Sequence, residues 1–375
     1  MKIIVATDKF KGCLTSQEVG ASISAGIHEV LPDCETIVIP IADGGDGTMR
    51  ALTECNNGEI EKVEVCNPIN KTITAEYGII HQDTAVIDVA SASGLHLIDK
   101  TEANPLYATS QGTGELILAA LQKGYKKIII GVGGSATNDA GIGILSVLGF
   151  KFFDKKGQEI SASAKHLIDI ASIDSSHVTP LLEGVHITIL CDVDASFYGK
   201  NGATQIFSAQ KGATEEIKVQ LESGMQNFAQ VILHQTGKEV QKMKYAGAAG
   251  GIAGSLCALL DAELTNGITQ YLEQVNFENI VKDADLVITG EGKMDKQTLL
   301  GKAPYGVCLA AHRFGKETIA IVGTLEDTQE LTQSQFAEIL SIKSENTPLS
   351  ESMQPENAKR NIFETTKKWI ASRYR

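Results

Sequence analysis

Acidic and basic side chains recur in this sequence where short apolar runs break off at glycines. Asp8 and Lys11 follow residues 3–7, and Asp43 and Asp46 lie in Ala42-Asp43-Gly44-Gly45-Asp46-Gly47-Thr48 after residues 36–41. Asp192 and Asp194 follow residues 186–190, and Glu291 and Asp295 follow residues 284–289. Such carboxylates are oxygen ligands for a hard divalent cation, and one held at a strand end can accept a proton from a substrate hydroxyl. Any one of them could be a solvated loop charge. Four charges in the two glycine-rich turns at 8–11 and 43–46 point instead to a metal and phosphate site.

The stretch around which the chain is organised is 128–143, Ile-Ile-Ile-Gly-Val-Gly-Gly-Ser-Ala-Thr-Asn-Asp-Ala-Gly-Ile-Gly. Its β-branched start predicts a buried strand. Gly131, Gly133 and Gly134 then permit positive φ and close backbone approach, and Ser135, Thr137, Asn138 and Asp139 follow at once. A strand running through such a turn into a helix would aim N–H groups at a phosphate. The alternative is a plain glycine turn closing a βα unit.

Those residues need strands and helices to position them. Residues 3–7 and 36–41 read as strands. Between them Thr15 and Glu18 have capping-box spacing, with Val19, Ile23, Ile27 and Val30 on one helical face. In an open α/β sheet the turns after such strands share the carboxyl edge, where ligands bind. Residues 63–66, 73–80 and 84–89 predict a β-meander. The small-residue turn at 90–94 suits a hydroxylated substrate or tight packing, and a polar glycine turn at 109–115 leads into a helix stopped by Gly124. Residues 214–237 predict an amphipathic helix with Leu221, Met225, Phe228, Ile232 and Leu233 inward. The stretch 246–251 is nearly free of side chains, so its backbone must approach either a helix or a ligand closely. Strands are expected again at 284–289, 318–323 and 338–342. Pro304 opens one late helix, with Gly315 as its stop, and Pro355 precedes the closing helix. Five strands of like texture from the two chain ends imply a discontinuous domain, 1–60 with 283–375, carrying an inserted domain at 61–282.

Composition narrows the function classes. Of 375 residues, 43% are apolar and 21% charged, an ordinary globular balance. Lys plus Arg minus Asp plus Glu is 33 − 46, or −13, which argues against a nucleic-acid groove or an anionic membrane surface as partner. No apolar run approaches the roughly 18 residues of a membrane span, and the charged start is not a signal peptide. The seven cysteines are scattered without a CxxC pair, the pattern of reduced thiols in a cytoplasmic protein. There is no G-x-x-x-x-G-K-[ST], no protein-kinase signature set, no H-E-x-x-H and no G-x-S-x-G. Gly131-x-Gly133-x-x-Ala136 with Asp154 meets the bare dinucleotide-binding pattern, so an NAD-dependent hydroxy-acid oxidoreductase is an alternative. A non-catalytic hydroxy-acid sensor is another, although it leaves the carboxylates at 43, 192 and 295 without a task.

Taken in order, the motifs resemble those of the bacterial glycerate kinases of the two-domain type without a P-loop. The resemblance runs over nearly the whole chain. It rests on Asp8-x-Phe10-Lys11-Gly12, the 42–48 and 131–139 segments, Thr113-Gly114-Glu115 and Cys191-Asp192-Val193-Asp194. Gln210-Lys211-Gly212-Ala213, Gly247-Ala248-Ala249-Gly250-Gly251, Thr289-Gly290-Glu291-Gly292-x-x-Asp295 and Gly301-Lys302-Ala303-Pro304 complete it. Lys9 stands where the family commonly has serine, and Asp46 where it has glutamate. The resemblance implies transfer of the γ-phosphoryl of ATP to D-glycerate with Mg2+, giving 2-phosphoglycerate or, in older descriptions of similar proteins, 3-phosphoglycerate. It implies a flavodoxin-like parallel-sheet domain with an inserted mixed α/β domain and a site in the cleft between them, in a monomer or homodimer. A kinase of another small hydroxy acid is the nearest alternative.

Phosphoryl transfer needs charge neutralisation and alignment more than covalent chemistry. The triphosphate is assigned to Gly133, Gly134, Ser135 and Thr137, with Lys11 or Lys211 as the helping cation. Magnesium is assigned to Asp295 and Glu291 first, then Asp43 and Asp46. Asp192 is the expected base, with Asp8 and Lys11 beside it in the catalytic group. Ser93, Gln111 and Asn138, together with Asp43, are expected to orient the glycerate.

Overall fold

The computed structural model describes residues 1–326, 329–343 and 348–374. The chain divides into two compact units, Met1–Asp43 with Ile268–Arg375, and Gly44–Gly267. The first begins with strands β1 (Lys2–Thr7) and β2 (Glu35–Pro40). The second contains β3 (Glu59–Cys66), β4 (Thr72–Ile80), β5 (Thr84–Asp88), β6 (Lys127–Gly131), β7 (Lys151–Phe153), β8 (Ser172–Asp174), β9 (His186–Cys191) and β10 (Glu263–Asn266). The chain then returns to the first unit with β11 (Leu286–Gly290), β12 (Lys293–Met294), β13 (Thr318–Val322), β14 (Thr324–Leu325) and β15 (Glu338–Ser341).

In the first unit the sheet runs β15-β13-β11-β1-β2, parallel throughout. Numbered within that unit the order is 2-1-3-4-5, the flavodoxin-like arrangement, whose switch point lies between β1 and β11. Ile3–Val5 and the whole of β11 and β13 are buried, as a parallel sheet covered on both faces requires. The helix Ser16–His28 starts at Thr15, whose side chain and Glu18 form the capping box. Its Val19, Ile23 and Ile27 pack in one core with Ile362 and Ile370 of the helix Pro355–Tyr374.

The second unit holds a six-stranded mixed sheet, β10-β9-β6-β5-β4-β3. β3, β4 and β5 form the antiparallel meander, and β5, β6, β9 and β10 run parallel. Ile128, Ile130 and Ile189 join its core with Leu221, Met225, Phe228 and Ile232 of the helix Glu215–Thr236. Leu233, expected inward, is only half-buried, and Val231 takes the buried place.

Several expectations shift. The helix Thr48–Cys55 belongs with the second unit, because Asp88 at the end of β5 accepts the N–H groups of Gly47 (2.8 Å) and Met49 (3.0 Å). The units therefore part at 43/44 and 267/268 instead of at 60 and 283. β7 pairs antiparallel with β8, outside the sheet of β6. Asp154 then turns a hairpin, accepting from Lys156 and Gln158 N–H, so it cannot serve a dinucleotide ribose from a strand beside β6. No helix is long and apolar enough to cross a membrane among the described residues.

Candidate active site

At the carboxyl edge of the five-stranded sheet, Asp8 follows β1, Asp43 follows β2 and Glu291 follows β11. Asp8 N–H donates to the Gly290 carbonyl (2.9 Å), which ties the two strand ends at the switch point. Its carboxylate accepts the Lys9 N–H at 2.7 Å. Burial first, and then the neighbouring carboxylates of Asp43 and Glu291, hold the Asp8 carboxyl well above its usual range. Glu291 is 7% exposed, and burial pushes its carboxyl up to about 7. The Thr298 hydroxyl, donating at 2.6 Å, and the Lys302 cation oppose that rise, while Asp43 and Asp295 add to it. Asp295 caps the short helix Lys296–Leu300, accepting from Gln297 N–H at 2.9 Å, and lies 3.9 Å from Lys302 and 3.8 Å from Lys293.

Among the described residues no three His, Cys, Asp or Glu side chains form a ready-made metal cage. Magnesium does not need one, since it is commonly held through one or two carboxylates plus substrate phosphates and water. The donor set fits that mode: all oxygens, with the raised carboxyls of Asp8 and Glu291 beside further carboxylates and Glu291 relieved by the Lys302 cation. Lys11, by contrast, is exposed on its loop, and Asp46 falls in the other unit.

In the second unit the 131–139 turn leaves β6 at the same edge from which Asp192 leaves β9. Asp192 is half-buried there. The turn does not run straight into a helix. Residues 132–141 are irregular, and only six residues, Ile142–Val147, become helical afterwards. Many of its N–H groups are already engaged. Val132 donates to Leu190, Gly133 to Gly44, Ala136 to Ser93 and Ala140 to Gly250. Gly133 is a glycine for the protein's own sake: a Cβ there would sit 2.5 Å from the Gly45 Cα. The 246–251 stretch is resolved in the same way, since a Cβ on Gly250 would strike the Thr137 carbonyl.

Beneath this turn lies Lys211, 3% exposed, in a short helix Ala209–Lys211. Its ammonium donates to Ser135 Oγ (2.9 Å) and to the Thr137 carbonyl (2.6 Å). Burial pulls its pKa down to about 7, against the pull of Asp139. Asp139 is fully buried and accepts from Ser110 N–H and Ser110 Oγ (both 2.8 Å), Gly141 N–H (3.1 Å) and Gly143 N–H (3.4 Å). Burial raises its pKa, with the Ser110 bonds working against that. Thr137 and Asn138 are fully buried, and Asn138 donates from Nδ2 to Thr204 Oγ1 at 3.3 Å. Two expected substrate contacts are occupied internally: Ser93 Oγ bonds Thr113 Oγ1 (2.8 Å), and the Gln111 amide donates to Glu115 (2.9 Å).

Sequence reasoning gave no role to Asp88, Asp139, Thr298 or Lys302. Asp88 was detectable as an acid closing an apolar strand, and the other three stood inside motifs already singled out. What was missing was the partner each finds across the fold.

A flavodoxin-like sheet with carboxylates at its switch point, and a mixed sheet with a lysine buried beneath a glycine turn, make an α/β protein whose strand ends can meet both a cation and an anion, without a P-loop. The chain belongs to the glycerate kinase family, whose model matches residues 3–373. It is 42% identical over 324 residues to a glycerate kinase of Halalkalibacterium halodurans, covering 86% of this chain and 85% of that one. It is 42% identical over 328 residues to the glycerate 2-kinase of Escherichia coli, covering 87% and 86% of the two chains. A crystal structure described as a glycerate kinase 2 from Salmonella typhimurium matches with a TM-score of 0.86 and 38% identity, over 99% of this chain and 98% of that one.

Proposed function

We propose that the protein transfers the γ-phosphoryl group of ATP to D-glycerate, giving 2-phosphoglycerate, with Mg2+ as the metal. Family membership supports the substrate, and the name of the Escherichia coli relative supports the 2-position. One structural observation carries the chemistry: the carboxylates of Asp8, Asp43 and Glu291 follow β1, β2 and β11, the strands around a flavodoxin-like switch point. Those three, with Asp295, are the residues that would hold the metal. When bound, magnesium neutralises charge on the phosphoryl oxygens.

The remaining roles follow from the chain's own groups. Asp192, half-buried at the end of β9, accepts the proton of the attacking hydroxyl. Lys211 with Gly134, Ser135 and Thr137 holds an anionic group of one of the two substrates. Lys11 is retained only as an exposed cation able to meet the nucleotide. The cytoplasm is the expected setting, since none of the seven cysteines is in a disulfide.

The test is ATP consumption with D-glycerate and Mg2+, followed by phosphorus NMR of the product. Phosphate on oxygen 2 couples to one carbon-bound proton and gives a doublet, which is the expected result. A triplet would move the product to the 3-position. Folded protein that consumes no ATP with D-glycerate would remove glycerate as the substrate.

A further inference from the structure

Lys211 is a buried cation whose hydrogen-bond acceptors are both neutral, a hydroxyl and a carbonyl. Asp139 acts on it through space, but the carboxylate oxygens of Asp139 are bonded to Ser110, Gly141 and Gly143. Burying a charge without an anion in contact is costly, so this lysine is built to receive one. In the same turn, after Ser135, Thr137 Oγ1 and Asn138 Oδ1 are buried with no hydrogen-bond partner among the described residues. Whichever way the Asn138 amide is turned, Thr204 meets only one of its two polar atoms. The rim above is open, with Gly133 half-exposed, Gly134 exposed and Ser135 just below them.

These needs discriminate between ligands. A triphosphate carries several negative charges and only acceptors, and it is held by arrays of free N–H groups or a helix N-terminus. Here Val132, Gly133, Ala136 and Ala140 have given their N–H groups to carbonyls, which leaves those of Gly134 and Ser135 at the rim instead of an array, and the following helix starts only at Ile142. A single lysine matches a single carboxylate. A ligand hydroxyl both donates and accepts, so it satisfies Asn138 in either orientation, whereas an ionised phosphate could satisfy only one. A small hydroxy acid supplies both groups.

We infer that Lys211, with Ser135 and Asn138, is the subsite for the carboxylate end of the hydroxy acid and not for the triphosphate. The inference rests on the reading of the protein as a hydroxy-acid kinase. It changes the partner of Lys211, Ser135 and Thr137 from nucleotide to acid, and it makes Lys211 the residue that selects an acid over a neutral polyol.

The experiment compares wild type with Lys211→Met and Ser135→Ala, using D-glycerate, its uncharged amide 2,3-dihydroxypropanamide, and ATP. Lys211→Met should raise KM for D-glycerate by about 30-fold while KM for ATP stays within about twofold, the size expected for losing a charged hydrogen bond. The amide's kcat/KM should fall by much less, about fivefold at most, because its neutral carbonyl loses a hydrogen bond but no ion pair. Ser135→Ala should move the same way by about fivefold, and it decides by the same split should Lys211→Met fail to fold. A rise in KM for ATP instead, or equal losses on acid and amide in folded protein, would overturn the subsite and leave Lys211 a nucleotide contact or a structural staple. If wild type uses a different hydroxy acid, glycerate falls as the substrate, and the same split with that acid and its amide still decides the subsite.

Discussion

Near the carboxyl edge of the five-stranded sheet burial acts on an acid, Glu291; near that of the six-stranded sheet it acts on a base, Lys211, while the buried acids Asp88 and Asp139 there are bonded to backbone N–H groups. Burial drives Glu291 and Lys211 toward their neutral forms from opposite sides, and both arrive at about 7. The surroundings explain what each awaits. Glu291 stands among Asp8, Asp43 and Asp295, so further negative charge raises it and a cation would settle the group. Lys211 stands among hydroxyls and carbonyls, with its nearest acid committed elsewhere, so an anion would settle it. Phosphoryl transfer to an anionic acid, the proposed reaction, calls for a cation near the phosphate and a counter-charge near the acid. Two units of similar α/β construction thus acquire opposite charge preferences from a few residues at their strand ends.

The largest test concerns a third strand-end group. Asp192→Asn should keep the fold and nucleotide binding while turnover drops by about 10²-fold or more. Near-normal turnover would take Asp192 out of the mechanism and leave the six-stranded edge with binding duties only.

A smaller effect sharpens the contrast directly, in metal-free and substrate-free protein. The folded-state pKa of Glu291 lies above its ordinary 4.5, so folded protein binds the extra proton between there and about 7. Stability should therefore fall as pH rises through that window, and Glu291→Gln should lessen the fall, the raised carboxyls of Asp8 and Asp139 supplying the rest. The Lys211 pKa is depressed from 10.5 to about 7, so the unfolded chain binds the extra proton in that range, and stability should rise with pH. Lys211→Met should remove that rise. Each variant should be more stable than wild type by about 1–3 kcal/mol where its group is charged in the folded state, above pH 7 for Glu291→Gln and below it for Lys211→Met. Urea melts from pH 4.5 to 10 would show two opposite slopes; slopes of one sign would break the comparison.

The smallest effect separates scaffold from chemistry. Asp88 caps the helix Thr48–Cys55 in place of a local side chain, since Gly47 offers none. Asp88→Ala should cost about 1 kcal/mol or somewhat more in denaturant melts. KM for glycerate should be unchanged in the remaining folded protein.

Most of the fold was legible because periodicity and turn chemistry are local. Thr15 and Glu18 announce a capping box, Pro304 and Pro355 open helices, and unbroken β-branched runs give the buried strands. The unit boundary was less legible, because the helix Thr48–Cys55 is placed by an acid forty residues downstream. The candidate site was legible as a set of residues and much less so as a set of roles. Gly133 shows why: a glycine that allows a phosphate to approach and one that allows a neighbouring loop to approach are the same residue in a sequence.

By itself, then, the order of residues determined the element types, the two sheets' strand textures and the motifs that place the chain in its family. Each depends on neighbours a few positions apart or on a pattern preserved in order. Only the tertiary structure decided that Lys211 lies under Ser135 and Thr137 while Lys11 stays in solvent, and that Glu291 shares its surroundings with Asp8 and Asp43. Burial and through-space charge set those properties, and both are sums over atoms that the chain brings together from far apart in sequence.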